Sequence, residues 1–500
     1  MPTTQTPAAR EATETARLTD DRPQNPLYER YASRQMAAIF SATSRFRTWR
    51  KLWIALAECQ KELGLAITDE QIATLKQAEH EIDLDRVAAI EAQTRHDVVA
   101  HLRHFAEVAD RGMATAAGTS GGGGILHLGA TSAFITDNTD VLLTREALEL
   151  VRRRLGSVIR HLADFAERTK AIPALAYTHF QPAQLTTVGK RACLWAQDFL
   201  EDLREIDHRL ATLRCRGAKG TTGTQASYLT LFDDDGGRVR QLDRDLAARL
   251  GLEAFPVTGQ TYPRKQDSQI LHALSGIAES CHKFGTDLRL LQGVGELSEP
   301  FDRDQVGSSA MAYKRNPIRA ERLCGLSRCL ITDAMNGPFN ASVQWLERSL
   351  DDSSNRRLVI PDAFMFADAI LSLAAHIAEG LRVREAAIAA RVRRELPFMA
   401  TETLLMEAVR RGGDRQDLHE RLRVHSLAAQ ERLETGGDNP LIDSILADAA
   451  FRLERAEVES WLEPKKFTGR SEDQVSELLC EVIEPALAQV EEAPVEAPRI

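Results

Sequence analysis

Seven apolar residues, Ile270, Leu274, Ile277, Cys281, Phe284, Leu288 and Leu291, follow one another at spacings of 4, 3, 4, 3, 4 and 3. That alternation keeps one stripe of an α-helix apolar over many turns. At about 1.5 Å per residue, the helix carrying it is on the order of 45 Å long. A rod of that length buries its seam only against neighbours of similar length, and helices of other copies of the chain are suited to supply them. The expectation is an all-α protein with a central bundle of long helices, assembled as a homo-oligomer.

Composition agrees and narrows the function. The 500 residues are 43% hydrophobic and 27% charged, with only 6% aromatics, which suits a large, helix-rich core divided into two or three domains. A net charge of −10 argues against nucleic-acid or membrane partners, so any cationic cluster is local and suits a small anionic ligand. No apolar run approaches the roughly 20 residues of a bilayer span, and the N-terminus lacks a signal-peptide layout, so the expected location is cytoplasmic. The cysteines at 59, 193, 215, 281, 324, 329 and 480 are scattered. They form neither a disulfide framework nor a zinc site.

Along the chain, residues 1–25 read as a disordered arm and 491–500 as a frayed tail. Residues 26–131 read as an N-terminal helical domain. In it Trp49, Trp53, Leu56 and Leu63 recur at helical spacing up to Gly64, and Thr68 with Gln71 makes a capping box. Residues 132–382 form the central bundle. Residues 383–490, rich in Arg and Glu, form a third, C-terminal helical domain.

Polar blocks interrupt these patterns, too long and too rich in Thr, Gln, His and Arg to be plain connectors. LYERYASR holds Arg30 and Tyr31. TRHDVVAHLRHF has three imidazoles, at 96, 101 and 104, at spacings that do not match a zinc-binding H-E-x-x-H helix. Its Arg95-His96-Asp97 triplet reads equally as an anion-binding group or as a helix first turn with Asp97 near the dipole. The glycine-rich insert 118–124 is neither a P-loop nor a dinucleotide fingerprint. HLGATSAFITDNTD supplies Thr131 and Ser132, with helical periodicity resuming from Val141. In YTHFQPAQLTTVGKR, Pro182 follows Gln181, so the chain at His179 is expected to be extended, with its ring displayed by a turn. VTGQTYPRKQD holds Gln260, and ASVQWLERSLDDSSNRR holds Arg348, Ser353, Arg356 and Arg357. The most polar block, GSSAMAYKRNPIRAE at 307–321, ends in helix-start chemistry. Asn316 stands at a capping position and Pro317 at the first helical one, so a loop is expected to feed a helix N-terminus whose amides favour anions.

Together RYAS, RHDVVAH, HLGATS, THFQPAQLTTVGKR, GTTGTQAS, TGQTY with its following Arg-Lys, SVQWLERSLDDSSNRR and the 307–321 loop resemble the fumarase/aspartase superfamily. The resemblance runs from about residue 27 to 480 and is to the branch acting on succinylated purine nucleotides. It implies a β-elimination that breaks a C–N bond and releases fumarate, in a homotetramer whose active sites are shared between subunits, with nucleotide substrates and neither metal nor organic cofactor. Such chemistry needs a base for a weakly acidic Cβ proton, stabilisation of the carbanion, and an acid for the departing nitrogen.

By the same resemblance Ser308 is the base, with Ser309 left open, and His179 is the acid, oriented by Glu321. Lys314 and Asn316 bind the substrate carboxylate. His96, Asp97, Thr131, Ser132 and Gln260 bind the succinyl and base groups, Arg30, Tyr31, Arg348, Ser353 and Arg357 the phosphate and its surroundings, and Arg95 and Arg322 are further substrate-binding residues. Ala312 stands where the superfamily loop carries proline, which implies a more flexible loop. A relative acting on an unphosphorylated substrate would not need the arginines of SLDDSSNRR. A non-enzymatic scaffold would not need Ser308, His179, Lys314 and Glu321.

Overall fold

The computed structural model describes residues 24–111 and 121–491. The expected arm up to residue 23, part of the glycine-rich insert and residues 492–500 lie outside them. In chain order the elements that matter here begin with α1 (Ala42–Glu62), α2 (Asp97–Asp110) and α3 (Ser132–Thr169). A hairpin of β1 (Pro173–Thr178) and β2 (Gln181–Thr187) leads into α4 (Val188–Thr212). Then follow α5 (Lys265–Gly293), α6 (Ile318–Asp333), α7 (Asn336–Val343), α8 (Asp351–Glu379) and α9 (Glu385–Met399).

Helix α5 carries the heptad seam, and all seven seam residues are buried. Their cover comes from the chain itself: α4, α6 and α8 pack along α5, and α3 packs on α4 and α8. The length argument for partners in other subunits is therefore met within one chain, and the case for an oligomer rests on the site. Helix α8 is long and apolar enough to cross a membrane by length and composition, but most of it is buried inside the bundle. Its apolar faces are core.

Local chemistry explains the helix ends. Thr68 and Gln71 form the expected reciprocal capping box, and Gly64 follows α1 at φ +95°. Glycine 189, in the first turn of α4, lies so close to α3 that a Cβ would overlap the Ala166 carbonyl and the Lys170 backbone. The TTVGKR stretch is thus a helix start built for close packing.

Among the described residues three smaller buried apolar clusters stand apart from this core, the least of them Val87, Ile90 and Ala100. One joins α1 and α2 to the start of α3 and to the Gly236–Arg249 helix. Another lies within 400–461.

The YTHFQPAQLTT block, expected to be extended at the histidine, is the β-hairpin, with Thr178 paired to Gln181. His179 and Phe180 form its two-residue turn at φ 52° and 59°, so the backbone at the histidine is left-handed. The proline restricts Gln181, which is a strand residue. It does not reach back to His179.

Candidate active site

The triplet 95–97 sits at a junction of two helices. Arg95 ends the Leu84–Thr94 helix in the left-handed region, and the His96 ring caps α2 by accepting from the Val99 amide. The first-turn reading of Asp97 is seen in its contacts: its carboxylate accepts from the Val98 amide at 2.7 Å and, in addition, from Arg357 at 2.8 Å. Burial acts to raise the Asp97 carboxyl, but the Val98 amide and the Arg357 guanidinium outweigh it and hold it below the ordinary value. Ser132 Oγ lies 3.3 Å from His96 Nε2, which joins the HLGATS block to the triplet.

Gln260 is pinned on both backbone sides. Its amide donates to the Glu347 carbonyl at 2.9 Å. Its carbonyl accepts from Arg216 Nε at 2.6 Å. Gly223, at φ +83°, presses so closely on Thr258 that any Cβ would overlap its carbonyl, which packs the GTTG turn onto this segment.

These blocks enclose a cavity of about 730 Å³. Arg95, His96, Asp97, Thr131, Ser132, Gln260, Arg348, Ser353 and Arg357 all line it. A second cavity of about 230 Å³ shares Asp97, Arg348, Ser353 and Arg357 and adds Arg45, Arg264 and Arg356. One of its walls is aromatic: Phe46 stacks on His101 at 3.8 Å and Trp49 meets the same ring edge-on. Burial pushes the His101 imidazole down to about 4, so it is neutral near pH 7.

Beneath the cavities lies a buried ionic network. Arg264 donates to Asp352 at 2.6 Å and to both oxygens of Asp137 at 3.1 Å. Arg356 donates to Asp267 at 2.7 Å and to the Tyr262 hydroxyl at 2.6 Å. Arg348 stands 4.0 Å from Asp352. Arginine forks fixed in this way keep the polar wall rigid. Arg264 was missed by sequence reasoning, although it stands in the TYPRK block. Arg356 stands in the SLDDSSNRR block, where the sequence alone gives it no distinct role. Consecutive helical residues point about 100° apart, which sends Arg356 inward and leaves Arg357 at the cavity.

The 307–321 loop is elsewhere. Gln292, in the last turn of α5, donates to the Arg315 carbonyl at 3.0 Å, whereas Gln260 and Arg264 stand just before that helix begins. The 29 residues of α5 separate the loop from the cavity by roughly 40 Å. Within the loop Ser308 Oγ accepts from the amides of Ala310 at 3.3 Å and Met311 at 3.1 Å. Ser309, Ala312, Lys314 and Glu321 are exposed, and Arg322 is half-buried.

Asn316 is not the helix cap. Its side-chain amide donates to the Gly307 carbonyl and closes the base of the loop, and α6 begins at Ile318. Its first amides are taken by Glu299, whose carboxylate accepts from Arg319 at 3.1 Å and Ala320 at 2.9 Å. Those two amides are therefore occupied by a residue that sequence reasoning did not single out.

His179 is exposed at the hairpin turn, and Tyr177 ties that hairpin to Glu296, just past the C-terminal end of α5. Arg30 and Tyr31 lie on a short turn, Leu27–Tyr31, packed against α8. Neither lines the cavities. One chain thus assembles the nine cavity residues and leaves His179, Ser308, Lys314 and Glu321 outside them.

A helical bundle with these polar blocks at its helix ends defines a class, and the similarities agree. Residues 24–331 match the family described as Lyase. In fold, the 3-carboxy-cis,cis-muconate lactonizing enzyme of Pseudomonas putida superposes with a TM-score of 0.78 over 93% of this chain and 98% of that one, at 22% identity. The fold is the all-α fumarase/aspartase one that the sequence led us to expect.

Residues 397–478 match the adenylosuccinate lyase C-terminus. The adenylosuccinate lyase of Saccharomyces cerevisiae is 46% identical over 92% of this chain and 95% of its own length. That of Schizosaccharomyces pombe is 44% identical over 93% and 95%. The chain belongs to the adenylosuccinate lyase family of lyases.

Proposed function

We infer that the chain eliminates fumarate from adenylosuccinate to leave AMP, and from the succinylcarboxamide imidazole ribotide to leave the aminoimidazole carboxamide ribotide, in purine biosynthesis. The observation carrying this reading is the single cavity in which Arg95, Arg348 and Arg357 stand with His96, Thr131, Ser132 and Gln260. Planar guanidinium donors suit phosphate and carboxylate, and the hydroxyl and amide groups suit a purine or imidazole with its succinyl arm.

Elimination then proceeds with Ser308 removing the Cβ proton and His179 protonating the departing nitrogen. A serine hydroxyl needs help to act as a base. The amides of Ala310 and Met311 already donate to Ser308 Oγ, and an alkoxide would strengthen both bonds. Lys314 and Asn316 hold a substrate carboxylate as it takes up carbanion charge, Glu321 orients His179, and Arg322, next to Glu321 in the chain, is assigned to substrate binding. Arg30 and Tyr31 extend the phosphate end.

Because the loop stands roughly 40 Å from the cavity along α5, the complete site takes its loop from another copy of the chain. A homotetramer with four shared sites is the assembly this reading assigns. It is supported by the stripe of Met335, at the start of α7, with Phe339 and Val343 on it, exposed at helical spacing and continued by Trp345, Leu346 and Leu350. The seven free thiols fit a cytoplasmic setting. Within this assembly we assign residues 26–131, 132–382 and 383–490 as the three helical domains.

The test is direct assay of the purified protein with adenylosuccinate, following the loss of its ultraviolet absorbance. Turnover to AMP and fumarate supports the reading, and no turnover at any protein concentration refutes it.

A further inference from the structure

Glu296 is fully buried, at 0% exposure. It stands three residues past α5, and side chains from three separate elements converge on it. The Tyr177 hydroxyl, from β1, donates to Oε1. Arg391 of α9 donates from Nε to the same oxygen at 3.1 Å and from Nη2 to the Tyr177 hydroxyl at 3.2 Å. Arg191 of α4 brings Nη1 to 3.6 Å from Oε2. It also donates to the Leu175 carbonyl of β1 and lies over the Tyr177 ring at 5.9 Å. The Glu296 backbone is fixed as well, with its amide on the Leu291 carbonyl and its own carbonyl accepting from Arg384, both at 2.9 Å.

What this carboxylate holds is a strained turn. Two-residue hairpin turns with both central residues at positive φ normally carry Asn or Gly, because a Cβ is crowded there. Here the two residues are His179 and Phe180. Strain of this kind persists only where its surroundings over-determine it, and it concentrates at functional positions. The surroundings in this case are Tyr177, two residues before the histidine, and the Phe180 ring packed 5.6 Å from the Tyr177 ring. Glu296 in turn fixes Tyr177 directly and β1 through Arg191.

We propose that Glu296 is a positioning residue for the acid: through Tyr177 and Arg191 it fixes the strained turn that presents the His179 imidazole. This rests on the reading of His179 as the proton donor to the departing nitrogen. Neither Glu296 nor Tyr177 touches substrate. Their effect appears in the geometry of proton transfer and not in binding. It also links α9, through Arg391, to the chemistry.

The experiment is steady-state assay of the full-length protein with adenylosuccinate for Tyr177→Phe, Glu296→Gln and His179→Gln, and for each of the first two combined with His179→Gln. Tyr177→Phe removes one hydroxyl only and decides the question even where Glu296→Gln folds poorly. The expected result is a fall in kcat on the order of 10- to 100-fold for Tyr177→Phe with KM little changed, as for a displaced catalytic group. No further fall is expected when it is added to His179→Gln. With His179→Gln strongly impaired but still measurable, an unchanged kcat in Tyr177→Phe, or losses that multiply in the double variant, overturn the positioning role alone. A fully active His179→Gln overturns the acid assignment, and the positioning role with it.

Discussion

The Arg357 guanidinium donates to the Asp97 carboxylate at 2.8 Å, closing the wall of the cavity between two residues 260 positions apart. The pair joins the first turn of α2 to the first turns of α8. Both side chains are partly exposed, so solvent screening limits what the contact contributes to stability, to less than about 1 kcal/mol. Its expected role is in holding substrate. Asp97→Asn should leave the thermal midpoint within a degree or two, since 1 kcal/mol moves a chain of this size by only about 2 °C. It should raise KM for adenylosuccinate on the order of tenfold. Melting curves beside steady-state kinetics check both parts.

The network under the cavity behaves in the opposite way. Arg264 is buried with Asp137 and Asp352, and removing its charge takes the ion-pair partner from Asp137 and leaves Asp352 only Arg348, at 4.0 Å. Arg264→Leu should cost about 3–5 kcal/mol, the range for breaking a buried ion pair from one side. Arg264→Lys should recover part of that, since an ammonium cannot bond Asp137 at both oxygens and Asp352 at once. Denaturant titration of the three proteins measures the difference.

Stability should also fall in mild acid. Burial holds the His101 and His127 imidazoles at about 4, below their ordinary 6.5. The folded protein keeps both neutral while the unfolded chain takes up protons first. Their contribution is therefore fully present above pH 6.5, declines as the pH drops from 6.5 towards 4, and is gone below 4. Each is worth roughly 2 kcal/mol after allowance for partial solvent access. Urea midpoints at pH 7 and pH 5 should show the decline, and His101→Phe should flatten it.

Glu299 caps α6 at the foot of the loop through the amides of Arg319 and Ala320. Glu299→Ala should cost on the order of 1–2 kcal/mol. It should also lower kcat by loosening the loop that carries Ser308, and a variant with full kcat would remove Glu299 from any role in the loop. Calorimetry and turnover measured on one preparation separate the two effects.

How much of this was legible in the sequence depends on how local the cause is. The α5 seam and the Thr68–Gln71 cap are set by residues a few positions apart, and both appear in the structure as expected. The cap of α6 comes from Glu299, twenty residues before the amide it meets, so a nearby asparagine passed for it. The hairpin at His179 carries no Asn-Gly turn signal, because its strained residues are held by Tyr177 and Phe180 packing and by Glu296, not by their own preferences. Residue types marked the cavity blocks as unusual. Only folding shows that nine of those residues share one wall while the loop stands at the other end of α5.

That separation is the central claim, and mixing two inactive variants tests it most directly. His96→Gln disables the cavity and Ser308→Ala disables the loop. Co-refolded in equal amounts, the two should recover about a quarter of wild-type activity, since a site that draws its cavity and loop from different copies is intact when both come from unmutated sources. A mixture that forms mixed oligomers and stays inactive would show that cavity and loop serve the same site from one chain, and would contradict the account.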